Sequence, residues 1–247
     1  GLLAIAAYVG STRLIDNIVL QKRQPIVAID GPAGAGKSTV TRRLAHQLGL
    51  LYLDTGAMYR AVTWLVMESG VAVDDYQAIA DLLPDLDLKL TSPNGAELPT
   101  VVHVNGQEVT NAIRTPEVTA NVSAIAAQTA VREKLVIMQQ QWGEQGGLIA
   151  EGRDIGTNVF PNAELKIFLT ASVQERARRR WQDLQKQGRK DISLQQLEQD
   201  IQQRDQQDSN RAIAPLKKAD DALEIITDNL TIDEVINQIV ELYHQTI

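Results

Sequence analysis

The sequence predicts an α/β fold with a parallel central sheet, a small antiparallel sheet insertion and a helical lid. Three observations carry this expectation. Ile26 to Ile29 is a short apolar run that passes through a glycine-rich turn into a helical pattern. Short apolar runs then alternate with helical periodicities along the chain, as in units of strand, helix and strand. Between residues 86 and 110 this alternation gives way to a two-residue period with Asn105 and Gly106 at its turn, a strong hairpin signal.

The first of these stretches carries the chemistry. It reads Gly31-Pro32-Ala33-Gly34-Ala35-Gly36-Lys37-Ser38, followed by Thr39, which is a complete G-x-x-x-x-G-K-S phosphate loop. The helix behind it is spaced by Val40, Leu44, Ala45 and Leu48, so strand, glycine turn and helix occur in the order the motif requires. Glycines here permit positive φ and close backbone approach, so successive N–H groups turn toward phosphate oxygens at a helix N-terminus. Lys37 is placed to reach the β- and γ-phosphates of a nucleoside triphosphate such as ATP, and the Ser38 hydroxyl to sit on Mg²⁺.

Composition limits the alternatives. The 247 residues are 44% hydrophobic, enough for one large domain or one domain with insertions. The chain has no cysteine, which removes disulfides and cysteine-based metal sites or nucleophiles and permits a reducing, cytoplasmic setting. A net charge of −7 disfavours a nucleic acid polymer or an acidic membrane as partner, while leaving room for local basic clusters that hold small phosphates. The apolar run from Gly1 to Val9 is far short of the roughly 20 residues a spanning helix needs.

The remaining elements follow in order. Leu50 to Leu53 reads as a strand that delivers Asp54 and Thr55, and Gly56 opens a helix with Arg60 within its first turn, an arrangement suited to an acceptor phosphate. A helix is expected over Val73 to Leu83. In the inserted sheet, Leu86, Leu88 and Leu90 alternate, Ser92 to Gly95 forms a turn, and Val101 to Val109 folds back through Asn105. Arg114 to Trp142 reads as a long helical stretch with Pro116 in its first turn, and Ser123 and Arg132 are its notable polar residues. Leu148 to Ala150 is a strand ending in Glu151-Gly152-Arg153-Asp154, at the kind of strand end where open α/β sheets bind ligands. After a strand at Leu165 to Thr170 comes a helix with Arg176, Arg178, Arg179 and Arg180, in which 176, 179 and 180 share a face. Beside a phosphate loop this face suits a clamp on phosphates. Gly188 breaks that helix. Ser193 and Gln196 form a capping-box signal for a second helix with Arg204 and Asp208, and Arg211 follows it; residues 176 to 207 form the expected lid. A strand at Ile225 to Thr227 and an amphipathic helix at Ile232 to Tyr243 close the chain.

From Pro25 to the end, this ordered set resembles bacterial cytidylate kinase, a nucleoside monophosphate kinase with the phosphate-loop fold. The motifs are DGPAGAGKS, the turn Asp54 to Arg60, IRTPEV, EGRDIGT followed by VFPNAELKIFLTAS, and RDQQDSNRAIAPL. The insertion at 86 to 110 resembles the enlarged monophosphate-binding region of those enzymes. The resemblance implies transfer of the γ-phosphoryl group of ATP to CMP or dCMP. By position it assigns the cytosine to Ser123, Arg132 and Asp154, the sugar and adjoining groups to Thr55, Arg204 and Asp208, and the acceptor phosphate to Arg60, Arg153 and Arg211. Lys37, Arg153 and the lid arginines Arg176 and Arg180 take the catalytic roles. Thr55 stands where many members have serine, and keeps the hydroxyl. Residues 1 to 24, with Arg13-Leu14-Ile15-Asp16-Asn17, resemble the C-terminal end of pantothenate synthetase and imply a fusion with that enzyme, joined through a linker at Gln21 to Gln24. A small-molecule kinase with a shikimate-like acceptor would share the phosphate loop but need neither the insertion nor a base-reading Arg/Asp pair. A GTP-dependent switch would need an N-K-x-D motif, which the sequence lacks.

Overall fold

The computed structural model describes residues 2–10, 12–19, 23–91, 98–186, 188–189 and 192–247. β1 (Leu2–Val9) and β2 (Thr12–Val19) form an antiparallel hairpin, with Leu2 opposite Val19. Arg13 to Asn17 therefore lie within a second strand. The linker expected at Gln21 to Gln24 lies partly outside the described residues, and the Ser92 to Gly95 turn lies wholly outside them.

The central sheet contains β3 (Ile26–Asp30), β4 (Leu51–Asp54), β8 (Leu148–Gly152), β9 (Leu165–Thr170) and β10 (Leu223–Ile226), all parallel, in the spatial order β10-β9-β3-β8-β4. β3 is the middle strand. The chain leaves it to one side for β4 and β8, then crosses to the other side for β9, so a crevice opens at its carboxyl end. Successive side chains of a strand face opposite ways. Ile26 and Ala28 enter one core with Leu53, Leu148 and Ala150, while Val27 and Ile29 enter the other with Tyr52, Ile149 and Ile167.

Helices cover both faces. α1 (Lys37–Leu48) and the final helix, α8 (Ile232–Thr246), cover the Val27 face. The Ile26 face takes α2 (Thr55–Glu68), α3 (Tyr76–Leu82), α4 (Pro116–Ala126) and α5 (Thr129–Gly143). The inserted sheet is present as expected. β5 (Leu88–Thr91), β6 (Val101–Val104) and β7 (Gln107–Glu108) are antiparallel, and Asn105 and Gly106 turn with φ of 50° and 82°. Its Val102 and Val104 join the same core as α2. Two further helices, α6 (Val173–Lys186) and α7 (Leu194–Asn210), share a small core of Ala177, Leu184 and Leu197. Gly188 stands between them at φ 79°. Among the described residues no helix is long and apolar enough to cross a membrane.

Several boundaries differ from expectation for local reasons. Arg114 to Trp142 is not one helix: a 3₁₀ turn at Ala112–Arg114 precedes α4, which Thr115 caps by accepting from the Val118 N–H, and Gln128 is extended between α4 and α5. The Gln128 side-chain amide donates to Val73 O at 2.9 Å and fixes the break. Both halves face one core, so their hydrophobic spacing runs through it. α2 begins at Thr55 and α3 only at Tyr76, because Asp54 and Asp75 accept from the third N–H beyond them. The last strand is Leu223–Ile226, ending one residue earlier than expected. At Ser193 only half of the capping box forms: Ser193 accepts from the Gln196 N–H at 3.1 Å, while the Gln196 side chain donates to Asp200. The full capping box is at Thr231 and Glu234.

One glycine sets the path of the phosphate loop. Gly31 has φ 148°, and a Cβ there would lie 1.9 Å from the Leu169 carbonyl oxygen on the neighbouring strand. Gly31→Ala is therefore expected to lower the melting temperature by about 10 °C, the effect of roughly 3 to 4 kcal/mol in a domain of this size. A melting temperature within 2 °C of the parent would contradict this reading of the contact.

Candidate active site

The carboxyl ends of β3, β4 and β8 open into a cleft of about 840 Å³. At one end Ala33, Gly34, Ala35, Gly36, Lys37, Ser38 and Thr39 line it. Gly31 and Pro32 lie behind this surface, and their carbonyls accept hydrogen bonds of 2.8 and 2.7 Å from Lys37 Nζ. Gly36, at φ 88°, is the N-cap of α1 and offers no side chain to the first turn. The backbone N–H groups there are left for an anion. Burial, reinforced by the positive charge of Arg153, holds the Lys37 ammonium well below its usual pKa, against the pull of Glu151 and Asp30.

A carboxylate that the sequence reading left without a role lies beside this end. Glu151 is buried at the tip of β8, and burial, then the charge of Asp54, raises its pKa. The Tyr52 hydroxyl donates to its Oε1. Oε2 is buried and has no hydrogen-bond partner among the described residues, although Ser38 is close enough to favour the ionised form. No group of three His, Asp or Glu side chains able to hold a metal ion occurs among the described residues. The Ser38 hydroxyl with the Glu151 and Asp54 carboxylates instead suits a cation that keeps its water and shares phosphate oxygens.

The other end is built from arginines held by carboxylates. Arg132, on α5, pairs with Asp154, and both side chains are about 5% exposed or less. Arg132 also donates to Ala126 O at 3.3 Å, and its guanidinium lies 5.6 Å from the centre of the Tyr59 ring. Asp154 receives the Asn158 amide at 3.2 Å and stands 3.7 Å from Arg211. Arg153 donates through Nε to Asp208 at 2.8 Å. Arg60 lies 3.4 Å from both oxygens of Asp54. The Thr55 hydroxyl donates to Glu151 O at 2.6 Å, so it ties α2 to β8 and does not cap its own helix. Ser123 from α4 and Arg204 from α7 complete the lining.

The lid arginines separate. Arg180, Arg178 and Arg179 line the cleft. Arg179 donates to Glu175 at 2.8 Å and to Thr227 O at 2.7 Å. Arg176 does not line the cleft; it is buried and bound to Asp205 and to the Ala33 carbonyl. The helical spacing of 176, 179 and 180 is present, but α6 packs its first turn against the phosphate loop, and that removes Arg176 from the open face. Asp54 lines the cleft beside Thr55 and Arg60, as its strand-end position suggests, and Tyr59 and Glu151 line it as well, without a role assigned from the sequence. For Glu151 a signal was available: an acid in the otherwise apolar strand LIAEG has to have a buried partner.

A phosphate loop at the end of the middle parallel strand, facing a pocket of carboxylate-held arginines, defines a phosphate-loop kinase. The family model for cytidylate kinase matches residues 27–245, and the chain belongs to that family. It is 63% identical over 245 residues to a bifunctional pantoate ligase/cytidylate kinase of Trichormus variabilis, and 65% identical over 242 residues to one of Synechocystis sp.. These alignments take in 99% and 98% of the chain, which spans about half the length of the curated relatives it matches, 46% and 47% respectively. Among solved structures it is similar to shikimate kinase from Acinetobacter baumannii, with a TM-score of 0.44 and 15% identity over 90% of this chain and 94% of that one.

The two ends of the cleft meet at Asp30. Its carboxylate accepts from the N–H groups of Ile155 and Gly156 at 2.8 and 2.7 Å, and burial raises its pKa from 3.8 to about 6. The folded protein thus takes up this proton near pH 6 and the unfolded chain only near 3.8. The stability from this group is greatest below pH 3.8 and is lost as pH rises through 6, a swing of about 3 kcal/mol. The difference in unfolding free energy between the parent and Asp30→Asn should therefore shrink as pH rises from 4 to 6.5. Denaturant titrations that give a pH-independent difference, or one that grows, would contradict the shift.

Proposed function

We propose that the chain catalyses reversible transfer of the γ-phosphoryl group from ATP to CMP or dCMP, giving ADP and CDP or dCDP. The observation that carries this reading is the buried Arg132–Asp154 pair at the acceptor end. Cytosine presents an amino donor at N4 with acceptors at N3 and O2, which is the pattern an arginine beside a carboxylate complements. Uracil presents O4, an acceptor, where the carboxylate needs a donor. Ser123 lines the same cleft as this pair, and we assign the sugar and adjoining groups to Thr55, Arg204 and Asp208, which also line it.

The acceptor phosphate needs no general base. A nucleoside monophosphate loses its second proton near pH 6 and is already a nucleophilic dianion at neutral pH. The protein's work is alignment and charge neutralisation. Arg60, Arg153 and Arg211 aim the acceptor, while Lys37 leaves the loop carbonyls for the donor's phosphates. Arg153 and Arg180 then face the charge that spreads over the transferring group. Mg²⁺ would be held by Ser38, with Glu151 and Asp54 on its water shell, and it supplies charge neutralisation at the donor's phosphate oxygens.

Two findings support a longer natural protein in which this kinase follows a pantoate ligase. The curated relatives carry that double name, and their alignments take in nearly the whole chain, whereas the family model begins at residue 27. We assign residues 1 to 24 to the end of that partner and the linker, and 25 to 247 to the kinase, with 86 to 110 as the insertion of its monophosphate-binding region and 176 to 207 as its lid.

An ADP-release assay with ATP, Mg²⁺ and equal concentrations of CMP, dCMP, UMP, AMP and shikimate tests the acceptor. CMP and dCMP should exceed UMP by about 2 to 4 kcal/mol in transition-state binding, roughly 30- to 1000-fold in kcat/KM. Equal use of UMP would remove the role given to Arg132 and Asp154, and turnover of shikimate alone would replace the acceptor class. Lys37→Ala should lower kcat about 10²- to 10³-fold with the fold intact by circular dichroism. Near-normal turnover in that variant would overturn the donor-site assignment.

A further inference from the structure

The strongest unexplained feature is the position of Arg176. It leaves the first turn of α6 with 3% of its surface exposed. Its Nε donates to Ala171 O at 2.9 Å, Nη1 to Ala33 O at 3.1 Å, and Nη1 and Nη2 grip the two oxygens of Asp205 at 3.0 and 2.6 Å. Its aliphatic stem fills the space beside Gly34, where a Cβ would lie 3.4 to 3.9 Å away. Four donated hydrogen bonds leave little of the guanidinium for a phosphate.

Asp205 belongs to α7, between Arg204 and Asp208. Both of those residues line the acceptor end, and Asp208 receives Arg153. A continuous run of polar contacts therefore leads from the Ala33 carbonyl of the phosphate loop, through Arg176 and Asp205, to the helix that carries Arg204 and Asp208. A bidentate pair whose arginine is almost wholly enclosed is directional and resists being left half-paired.

We propose that Asp205 is a positioning residue that couples the donor loop to the acceptor pocket through Arg176. A donor that orders the loop fixes the Ala33 carbonyl, and with it the Arg176–Asp205 pair and the register of α7. The acceptor then meets a pocket whose ordering is already complete, so each substrate tightens the other by the same factor. This inference rests on the donor and acceptor assignment given above.

The test is titration of CMP into the protein with and without Mg²⁺ and a non-hydrolysable ATP analogue. The parent should bind CMP about fivefold or more tightly when the analogue is present, Asp205→Asn should show a ratio near one, and Asp205→Glu should regain most of the parent's ratio. Each ratio is measured within one folded variant, so a loss of stability does not imitate a loss of coupling. A parent-like ratio in Asp205→Asn overturns the proposal, whatever happens to its kcat. Hydrogen exchange decides the matter without the acceptor: the ATP analogue should raise protection of the α7 amides in the parent but not in Asp205→Asn, and equal protection in both overturns the link. A wrong acceptor assignment would be seen differently, as a parent that binds neither CMP nor dCMP in either titration.

Discussion

The carboxylate of Asp30 sits where the phosphate loop leaves the sheet, and much of the site depends on what it holds. It is buried among apolar strands and accepts two backbone N–H groups from the turn that follows Arg153 and Asp154. A carboxylate in such a place is costly unless donors surround it. Here the donors belong to the turn that carries Arg153 and Asp154 into the cleft, so meeting the hydrogen-bonding needs of one residue also fixes the distance between the two halves of the cleft. The turn that follows, Ile155–Val159, is π-helical, with the Val159 and Phe160 N–H groups reaching back to the Asp154 and Ile155 carbonyls, and the N–H groups of Ile155 and Gly156 in its first turn are the ones Asp30 accepts. Gly156 allows the approach, with Asp30 and the Lys166 stem within 3.4 Å of where its Cβ would be.

Electrostatics in the cleft run against those of the whole chain. The protein carries a formal charge of −7, yet the cleft gathers Lys37 with the arginines at 60, 132, 153, 180, 204 and 211. Carboxylates are distributed among them so that few arginines are free to fold onto solvent: Asp54 faces Arg60, Asp154 faces Arg132 and Arg211, and Asp208 holds Arg153. Each pair fixes the direction of a guanidinium before any anion arrives, which lowers the reorganisation needed when charge develops. The remaining surface can stay acidic, because a site for small phosphates needs local positive potential and not a basic face.

The sequence made the parallel sheet, the insertion and most of the cleft legible for one reason: each leaves a periodic or spaced trace. The continuous apolar run of Ile26 to Ile29, the Asn105-Gly106 turn and the glycine spacing of the phosphate loop are local properties, and local physics decides them. The break at Gln128 was hidden because it depends on an amide reaching Val73 from a distant segment. Glu151 lacked a role because its partner Tyr52, on β4, and its neighbour Ser38, at the start of α1, meet it only in the folded sheet. Arg176 shows the opposite failure. Its spacing with 179 and 180 correctly shows a shared helical face, but spacing does not say how far that face turns toward a neighbour. The packing of α6 against Gly34 settles that.

The Arg132–Asp154 pair shows why a costly arrangement has a place in such a site. Enclosing an ion pair rarely stabilises a fold, since desolvation offsets the attraction, and a well-packed apolar pair of similar volume would often serve stability as well. On the proposed assignment its value lies in discrimination. An apolar slot of the same shape tells one pyrimidine from another only weakly, whereas buried charged groups reject a base that leaves them unpaired. The surroundings keep the pair intact for this purpose: Asn158 and Arg211 hold Asp154, and Ala126 O with the face of Tyr59 holds Arg132. Burial raises the Tyr59 phenol to about 12, so its ring stays neutral beside the guanidinium throughout the range in which the acceptor is a dianion. On the proposed assignment, recognition of the base is therefore built into the pocket before the base arrives, and closure of α6 and α7 would be left to exclude water and align the phosphates.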